Sequence, residues 1–243
     1  MQKIYRLNLF FLCFLLHQTT EAAPLISSGN PRMLVPYTAE YIAHLKNIPL
    51  GGRATHTLTA LGDQTFELRS EAKMLFNQQT EVSQFRWHTQ DCANTPISYR
   101  YDRQYLGKRK NYRLDFSQDH RSVTYTEGKN KKNYATPAPI EDALTEQLAV
   151  SCQIKAGQSL ISLNVAKKDK VSQHVFQRMG EESIKLPMGT YKTVRVKKQE
   201  AVDSAHQTVL WFAPELNYLL VQLQHTENGM TYTLQLKQWH SNS

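Results

Sequence analysis

The chain has 243 residues, of which 29 are Lys or Arg and 21 are Asp or Glu, so its net charge at pH 7 is +8. It contains no internal repeat, no long low-complexity stretch and no linker rich in Pro or Gly. Repeat architectures and strings of linked domains are therefore excluded, and the length suits one large β domain.

The first 22 residues have the pattern of a secretory signal peptide. Lys3 and Arg6 form a basic start, Leu7 to Leu16 form an apolar run, and Thr20-Glu21-Ala22 is a small-x-small cleavage site. The apolar run is about half as long as the stretch of about 20 apolar residues that a membrane anchor needs. The pattern therefore predicts export.

We expect residues 1–22 to be removed near Ala22 and residues 23–243 to form a single antiparallel β domain in the periplasm. Cys13 follows Leu12 inside the apolar run, where a lipoprotein signal would have a small residue, so no lipid anchor is expected. No transmembrane segment is expected in the mature chain, which keeps a net charge of about +7.

Apolar and polar residues alternate with a period of two from Tyr37 onwards, which predicts β-strands. A three-residue loop at Gly62-Asp63-Gln64 sets Leu58 opposite Leu68 and separates an apolar face from a polar one. Further strands are predicted at Tyr37–Leu45, Thr80–His88, Ile97–Tyr105, Tyr112–Phe116, Ser122–Glu127, Ser159–Ala166, Ser172–Arg178, Thr190–Ala201 and Thr208–Phe212.

One segment departs from this alternation and predicts a short helix near residues 140–152. Glu141 and Asp142 then lie in its first turn, where carboxylates complement the helix dipole. An apolar residue recurs at every fourth position of the segment, namely at Ile140, Leu144, Leu148 and Cys152.

The C-terminal hairpin has the strongest turn signal, Asn228-Gly229. A two-residue loop there sets Leu223 opposite Leu234 and again leaves one apolar and one polar face. About eleven to thirteen strands of this kind predict an all-β, mainly antiparallel fold. We expect a large curved meander sheet or an open half-barrel with one short helix.

Two cysteines remain after cleavage, Cys92 and Cys152. In an oxidising compartment a lone pair of thiols most simply forms a disulfide. Closing a loop of about 60 residues stabilises a fold by roughly 4 kcal/mol in the chain-entropy model. The alternative is a metal site that includes His88, but no CxxC or HxH spacing supports it. We predict the disulfide.

Positive charge is concentrated in short runs, which are typical of loop tips or guarded strand edges. In an exported protein such a surface favours an anionic lipid surface or an acidic glycan as partner, and no nucleic acid is expected. The runs are Lys108-Arg109-Lys110, Lys129 to Lys132, Lys167-Lys168 and Lys197-Lys198.

The chain lacks GxSxG, HExxH, P-loop, GxGxxG and EF-hand motifs. Its histidines form no i, i+2 or i, i+4 pair, and the predicted helix accounts for the acidic group Glu141, Asp142 and Glu146 without catalysis. We therefore expect no catalytic residue, no bound metal, no cofactor and no enzymatic activity.

The candidate ligand-binding residues are Tyr99, Tyr101 and Tyr105, which share one strand face with Ile97 and Arg103. One interpretation is a stripe that faces the core, with each buried hydroxyl hydrogen-bonded. The other is the wall of an open apolar groove that holds an acyl chain or another amphipathic ligand.

Several segments occur in a characteristic order. They are Tyr37 to Ile42 with Gly51-Gly52, the Phe85 strand running into Cys92, Pro96 to Tyr99, Leu114 to Phe116, Glu141 to Leu144, Glu181 to Thr193, Leu210 to Pro214 and Tyr218 to Val221. Together they resemble the bacterial exported proteins of the domain of unknown function 3108 family.

This resemblance implies a Gram-negative envelope location and a large antiparallel sheet, similar to the open half-barrels of lipoprotein carriers. It supplies no catalytic residues. We expect a non-catalytic periplasmic binding or carrier module for a lipid-like or amphipathic envelope ligand. The alternative is a structural or protein-interaction component of the cell envelope.

Overall fold

The computed structural model describes residues 34–46, 48–74, 76–88, 92–200 and 205–242. The predicted signal peptide lies outside the described residues. The strands are β1 (Tyr37–Leu45), β2 (Ile48–Gly62), β3 (Thr65–Met74), β4 (Asn77–His88), β5 (Ala93–Tyr105), β6 (Lys108–Phe116), β7 (Ser122–Glu127), β8 (Asn130–Ala135), β9 (Leu160–Lys167), β10 (Lys170–Leu186), β11 (Gly189–Gln199), β12 (His206–Ala213), β13 (Leu219–Glu227) and β14 (Met230–Ser241). The helix α1 is Thr145–Lys155, and Pro214–Leu216 forms a short 3-10 turn.

All fourteen strands belong to one antiparallel sheet in the order β8-β7-β6-β5-β4-β3-β2-β1-β14-β13-β12-β11-β10-β9. Two meanders, β1 to β8 and β9 to β14, therefore meet where β1 pairs with β14. The predicted all-β antiparallel fold is confirmed. The strand absent from the sequence prediction is β8, whose residues are mostly polar and lack an apolar alternation.

Both predicted hairpin registers are confirmed, with Leu58 opposite Leu68 and Leu223 opposite Leu234. The first hairpin reaches its register differently from the three-residue loop that we expected. Asp63 and Gln64 form a two-residue turn with φ values of 46° and 57°, and a bulge before Gly62 shifts the pairing by one residue. The bulge restores the apolar face that a simple two-residue loop would lose.

The helix starts later than the apolar spacing predicts. Glu141 is still extended, because its N–H donates to the carbonyl of Asn164 at 2.8 Å and its carbonyl accepts from the N–H of Ala166 at 2.8 Å. These bonds join the segment to the edge strand β9. The residues of the apolar spacing do face the core, since Ile140, Leu144, Leu148 and Cys152 are all buried.

The sheet curves around α1. The helix contacts β5, β9 and β13, three strands that are far apart in the sheet order. The two edges of the sheet also approach each other, because Lys132 of β8 lies 3.2 Å from the carboxylate of Asp169, which follows β9. The helix therefore packs inside the half-barrel and fills part of its apolar interior.

The disulfide between Cys92 and Cys152 fastens the helix to the start of β5. The two residues are 60 positions apart, and both are buried. Just before β13, the carbonyl of Tyr218 accepts a hydrogen bond from the hydroxyl of Ser151 at 2.7 Å. Among the described residues, no helix combines the length and the apolar character that crossing a membrane requires.

Candidate functional site

A cleft of about 500 Å³ remains where the helix does not fill the half-barrel. Strands β4, β5 and β6 form one wall, and the start of α1 and the strands β9 to β11 form the other. The lining consists of Gln79, Glu81, Tyr99, Tyr101, Arg103, Lys110, Tyr112, Ala143, Glu146, Val165, Lys167, Lys168, His174 and Lys198. Its side chains are mostly polar, and five of them are Lys or Arg.

The predicted tyrosine stripe bends along β5. Tyr99 is buried with 1% exposure, Tyr101 is half-buried, and Tyr105 is 48% exposed and lies outside the cleft lining. Tyr112 of β6, which the sequence did not single out, stacks on Tyr101 with 4.9 Å between ring centroids. Ile97 is 40% exposed, because the register shift between β4 and β5 turns it out of the stripe.

The tyrosine hydroxyls belong to a hydrogen-bond network on the cleft wall. Tyr99 donates to the carboxylate of Glu81, which also accepts from Gln79 Nε2 at 2.6 Å. Tyr101 donates to Gln79 Oε1 at 3.3 Å. Burial is the main cause that raises the pKa of both Tyr99 and Tyr112, so both hydroxyls stay protonated. The wall is therefore polar. Buried, hydrogen-bonded Tyr99 fits the interpretation of the stripe as core-facing, whereas Tyr101 lines an open cleft.

Three cationic side chains, which we call the cationic triad, converge at one end of the cleft: Arg103, Lys110 and Lys168. Arg103 lies directly opposite Lys110 in the β5–β6 register, a placement that is unfavourable for like charges. Direct contact with Lys110 is the main cause that lowers the pKa of Lys168. The curved sheet thus brings Arg103 of β5 and Lys110 of β6 close to Lys168, which follows the edge strand β9.

The charge of the triad is only weakly balanced. The carboxylate of Glu127 is 3.9 Å from Lys110 Nζ. Within the described part of the chain, Arg103 and Lys168 form no ion pair with a carboxylate. Arg103 donates instead to the neutral Asn77 Oδ1 at 2.8 Å. This end of the cleft therefore has a positive potential.

The opposite wall carries a compensated group formed by Glu146, His174 and Lys198. His174 Nδ1 lies 2.7 Å from Glu146 Oε1 and 3.0 Å from Lys198 Nζ, and the Lys198 ammonium is 3.8 Å from the same carboxylate. Nδ1 of His174 either donates a hydrogen bond to Glu146 or accepts one from Lys198, but it cannot do both. The carboxylate of Glu146 thus interacts with His174 and Lys198.

A smaller apolar recess of about 160 Å³ adjoins the cleft. The two cavities share Ala143, Glu146 and Lys198 in their linings. Beyond these residues the recess is lined mainly by apolar side chains, namely Val150, Phe176, Leu210 and Leu223. A polar, cationic cleft therefore continues into a short apolar recess.

Glu141 and Asp142 lie outside the cleft lining and are buried, with 3% and 0% exposure. Asn94 Nδ2 donates to Glu141 at 2.7 Å, and Asp142 accepts from the hydroxyl of Ser83 and from the N–H of Thr145. Burial is the main cause that raises the pKa of Glu141 to about 8 and that of Asp142 to about 6. These acids hold the segment before α1 against β4 and β5.

Residues 37–236 match the family described as protein of unknown function, DUF3108. The chain belongs to the DUF3108 family. Among solved structures it is similar to the "Beta-barrel-like Protein of Domain of Unknown Function DUF1849 from Brucella abortus", with a TM-score of 0.57 and 10% sequence identity. That match covers 86% of this chain and 99% of the other. No curated protein matches the chain.

The identity to the DUF1849 protein is low, so that similarity describes the fold of this DUF3108 protein and not its activity. The sequence predicted only some of the residues that line the cleft. Tyr99, Tyr101 and Arg103 stand together on one strand, whereas Lys110 and Lys168 belong to separate basic runs. These runs approach each other because the open sheet curves until its two edges lie close together.

Proposed function

We propose that this DUF3108 protein is a non-catalytic binding or carrier module whose cleft takes an anionic amphipathic ligand. The observation that supports this proposal best is the convergence of Arg103, Lys110 and Lys168 without a matching set of carboxylates. The predicted signal peptide and the disulfide support a periplasmic location, where such ligands occur in the cell envelope.

The cationic triad favours an anion because, without one, its positive side chains repel one another. Like charges that face each other across a strand pair destabilise the sheet, and the lowered pKa of Lys168 reflects the same repulsion from Lys110. An anionic group between the three side chains replaces this repulsion with attraction. Lys and Arg are also the usual partners of phosphate and carboxylate groups.

The remaining surfaces of the cleft suit the rest of an amphipathic molecule. The stacked rings of Tyr101 and Tyr112 offer an apolar body with polar hydroxyl tips. The recess around Val150 and Phe176 accepts a short apolar tail. At about 500 Å³, the cleft lies in the range of about 300–1,000 Å³ that is typical of small-molecule sites.

Binding accounts for these groups better than catalysis does. The hydroxyl of Tyr99 is bound to Glu81, and the carboxylate of Glu146 is engaged by His174 and Lys198. A reaction would need a nucleophile or base that points at a bound substrate. The cleft instead offers stacked rings and positive charge that few carboxylates balance.

Titration calorimetry with two charge-matched probes tests the proposal. We expect octyl phosphate to bind the mature protein with 1:1 stoichiometry and an affinity that falls as salt is added, because the cationic triad supplies much of the attraction. Octyltrimethylammonium, which has the same tail and the opposite charge, is expected not to bind. Equal affinities for the two probes, or no binding of octyl phosphate, would overturn the proposal.

A further inference from the structure

A group of side chains that could coordinate a metal ion lies where β12 begins and β13 ends. His206 pairs directly with Glu227, and Thr208 pairs with His225, in the register of these two strands. Residues two apart on a strand, and their cross-strand partners, point to the same side of the sheet. His206, His225 and Glu227 therefore share one face. None of the three lines the cleft or its apolar recess, although Thr208 on the same face lines the recess.

The donor atoms of these three side chains lie within 4.8 Å of one another. His206 Nδ1 is 3.7 Å from Glu227 Oε1, and the two imidazole rings stack with 6.0 Å between centroids and 17° between planes. In a tetrahedral zinc site with bonds of about 2.0–2.1 Å, neighbouring ligand atoms are about 3.3 Å apart. Side-chain rotation alone can close this difference, since His206 and Glu227 are 45% and 48% exposed.

A neighbouring hydroxyl orients one of the imidazoles. Thr208 Oγ1 lies 3.0 Å from His225 Nδ1. Histidine ligands commonly use one ring nitrogen for the metal and the other for such a hydrogen bond, which fixes the tautomer and the ring orientation. The contact with Thr208 therefore leaves Nε2 of His225 for coordination.

We propose that His206, His225 and Glu227 form a zinc site with three protein ligands and an open position for water or another ligand. Two imidazoles and one carboxylate are a donor set that suits Zn²⁺ and its neighbours in the first transition series. The ion pair between His206 and Glu227 by itself does not require a second imidazole stacked beside the first. A shared cation uses all three side chains.

The spacing of histidines in the sequence does not reveal this site. His225 and Glu227 are two residues apart on one strand, and His206 is 19 positions earlier. The three meet because β12 and β13 pair with His206 opposite Glu227. A search for HxH or HExxH spacing cannot detect ligands that two strands contribute jointly.

Calorimetric titration of the tag-free mature protein with Zn²⁺ alone tests the proposal. We expect one site with a dissociation constant on the order of 10 µM or tighter, and roughly a hundredfold weaker binding in His225→Gln and in Glu227→Gln. Thr208→Val is expected to weaken binding roughly tenfold, because it removes the hydrogen bond that orients His225. Thermal unfolding of each variant without metal verifies that the fold is retained.

His240→Gln is the matched control, because His240 is an exposed histidine on β14 outside the cluster. This variant is expected to bind Zn²⁺ as the parent protein does. Imidazole resonances of His206 and His225 should shift together at one equivalent of Zn²⁺ in NMR spectra. Unchanged affinity in folded His225→Gln, or saturation only at millimolar Zn²⁺, would overturn the proposal.

Discussion

The double variant Arg103→Glu/Lys168→Glu is expected to bind octyl phosphate about 100-fold more weakly than the parent protein, a loss of about 2.7 kcal/mol. Both substitutions invert a charge of the cationic triad and place a carboxylate beside Lys110. The fold should tolerate them, because Arg103 and Lys168 face Lys110 as like charges in the parent protein. Calorimetric titration measures the affinity, and urea unfolding measures the free energy of unfolding.

Lys73→Glu/Lys237→Glu is the matched control. These two lysines are exposed and lie outside the cleft lining, and their inversion changes the net charge by the same amount. The control should keep octyl phosphate binding within about twofold, because long-range effects of exposed charges are screened by salt. If both double variants lose affinity equally, net charge rather than the cleft determines binding, and our assignment of the site is wrong.

Glu141→Gln is expected to stabilise the protein progressively as the pH rises. Burial raises the pKa of Glu141 from 4.5 to about 8, so the folded state keeps a proton that the unfolded state has already released. Between these two values the unfolded state binds fewer protons, and the free energy of unfolding of the parent protein therefore falls as the pH rises. The amide has no such penalty, and its oxygen can still accept from Asn94.

The advantage of Glu141→Gln should grow by about 3 kcal/mol between about pH 5 and about pH 8, since one pKa unit corresponds to about 1.36 kcal/mol. Urea unfolding followed by tryptophan fluorescence measures it at each pH. His56 changes the stability of the protein in the opposite direction. Burial lowers its pKa to about 4, so the free energy of unfolding decreases as the pH falls below 6.5. This contribution cancels when the variant is compared with the parent protein.

Glu215→Gln controls for the loss of a carboxylate, because Glu215 is exposed on the 3-10 turn. Its stability profile should run parallel to that of the parent protein at every pH. A Glu141→Gln profile that is also parallel would contradict the raised pKa of Glu141. It would further show that the segment before α1 does not depend on a protonated acid.

Local patterns in the sequence were sufficient to predict most of the fold. Alternation and turn residues predicted the two hairpin registers, because a single shift would move apolar side chains such as Leu58 and Leu223 to the polar face. Strand β8 escaped prediction because its polar residues bury little apolar surface. Its place at the sheet edge agrees with the interpretation of the Lys129–Lys132 run as a guarded edge.

The helix boundary and the polarity of the cleft depend on tertiary contacts that no local pattern contains. The spacing of Ile140 and Leu144 is helical, yet Glu141 pairs with the backbone of β9 and delays the helix. In the same way, the sequence around Tyr99 and Tyr101 offered a core-facing stripe or an apolar groove wall, and neither interpretation included Lys168, which is distant in sequence. Only the approach of the two sheet edges brings its charge to the tyrosines.

The Cys92–Cys152 disulfide was predicted from the sequence, and the structure places it in the fold. The sequence predicted the pair by elimination, because only two cysteines remain after the expected cleavage. The structure adds what the bond does, which is to hold the helix in the half-barrel at the start of β5. With the helix fixed there, part of the apolar interior is filled, and the polar cleft and its apolar recess remain open.

Native mass spectrometry of the protein purified from its own host tests the central claim most directly. We predict a folded species that carries a bound molecule with a 1:1 stoichiometry, which is released on denaturation and detected as an anion. Arg103→Glu/Lys168→Glu, produced in the same way, should lack that molecule, and Lys73→Glu/Lys237→Glu should retain it. A parent protein that is reproducibly free of ligand, or that carries a neutral or cationic molecule, would contradict the claim.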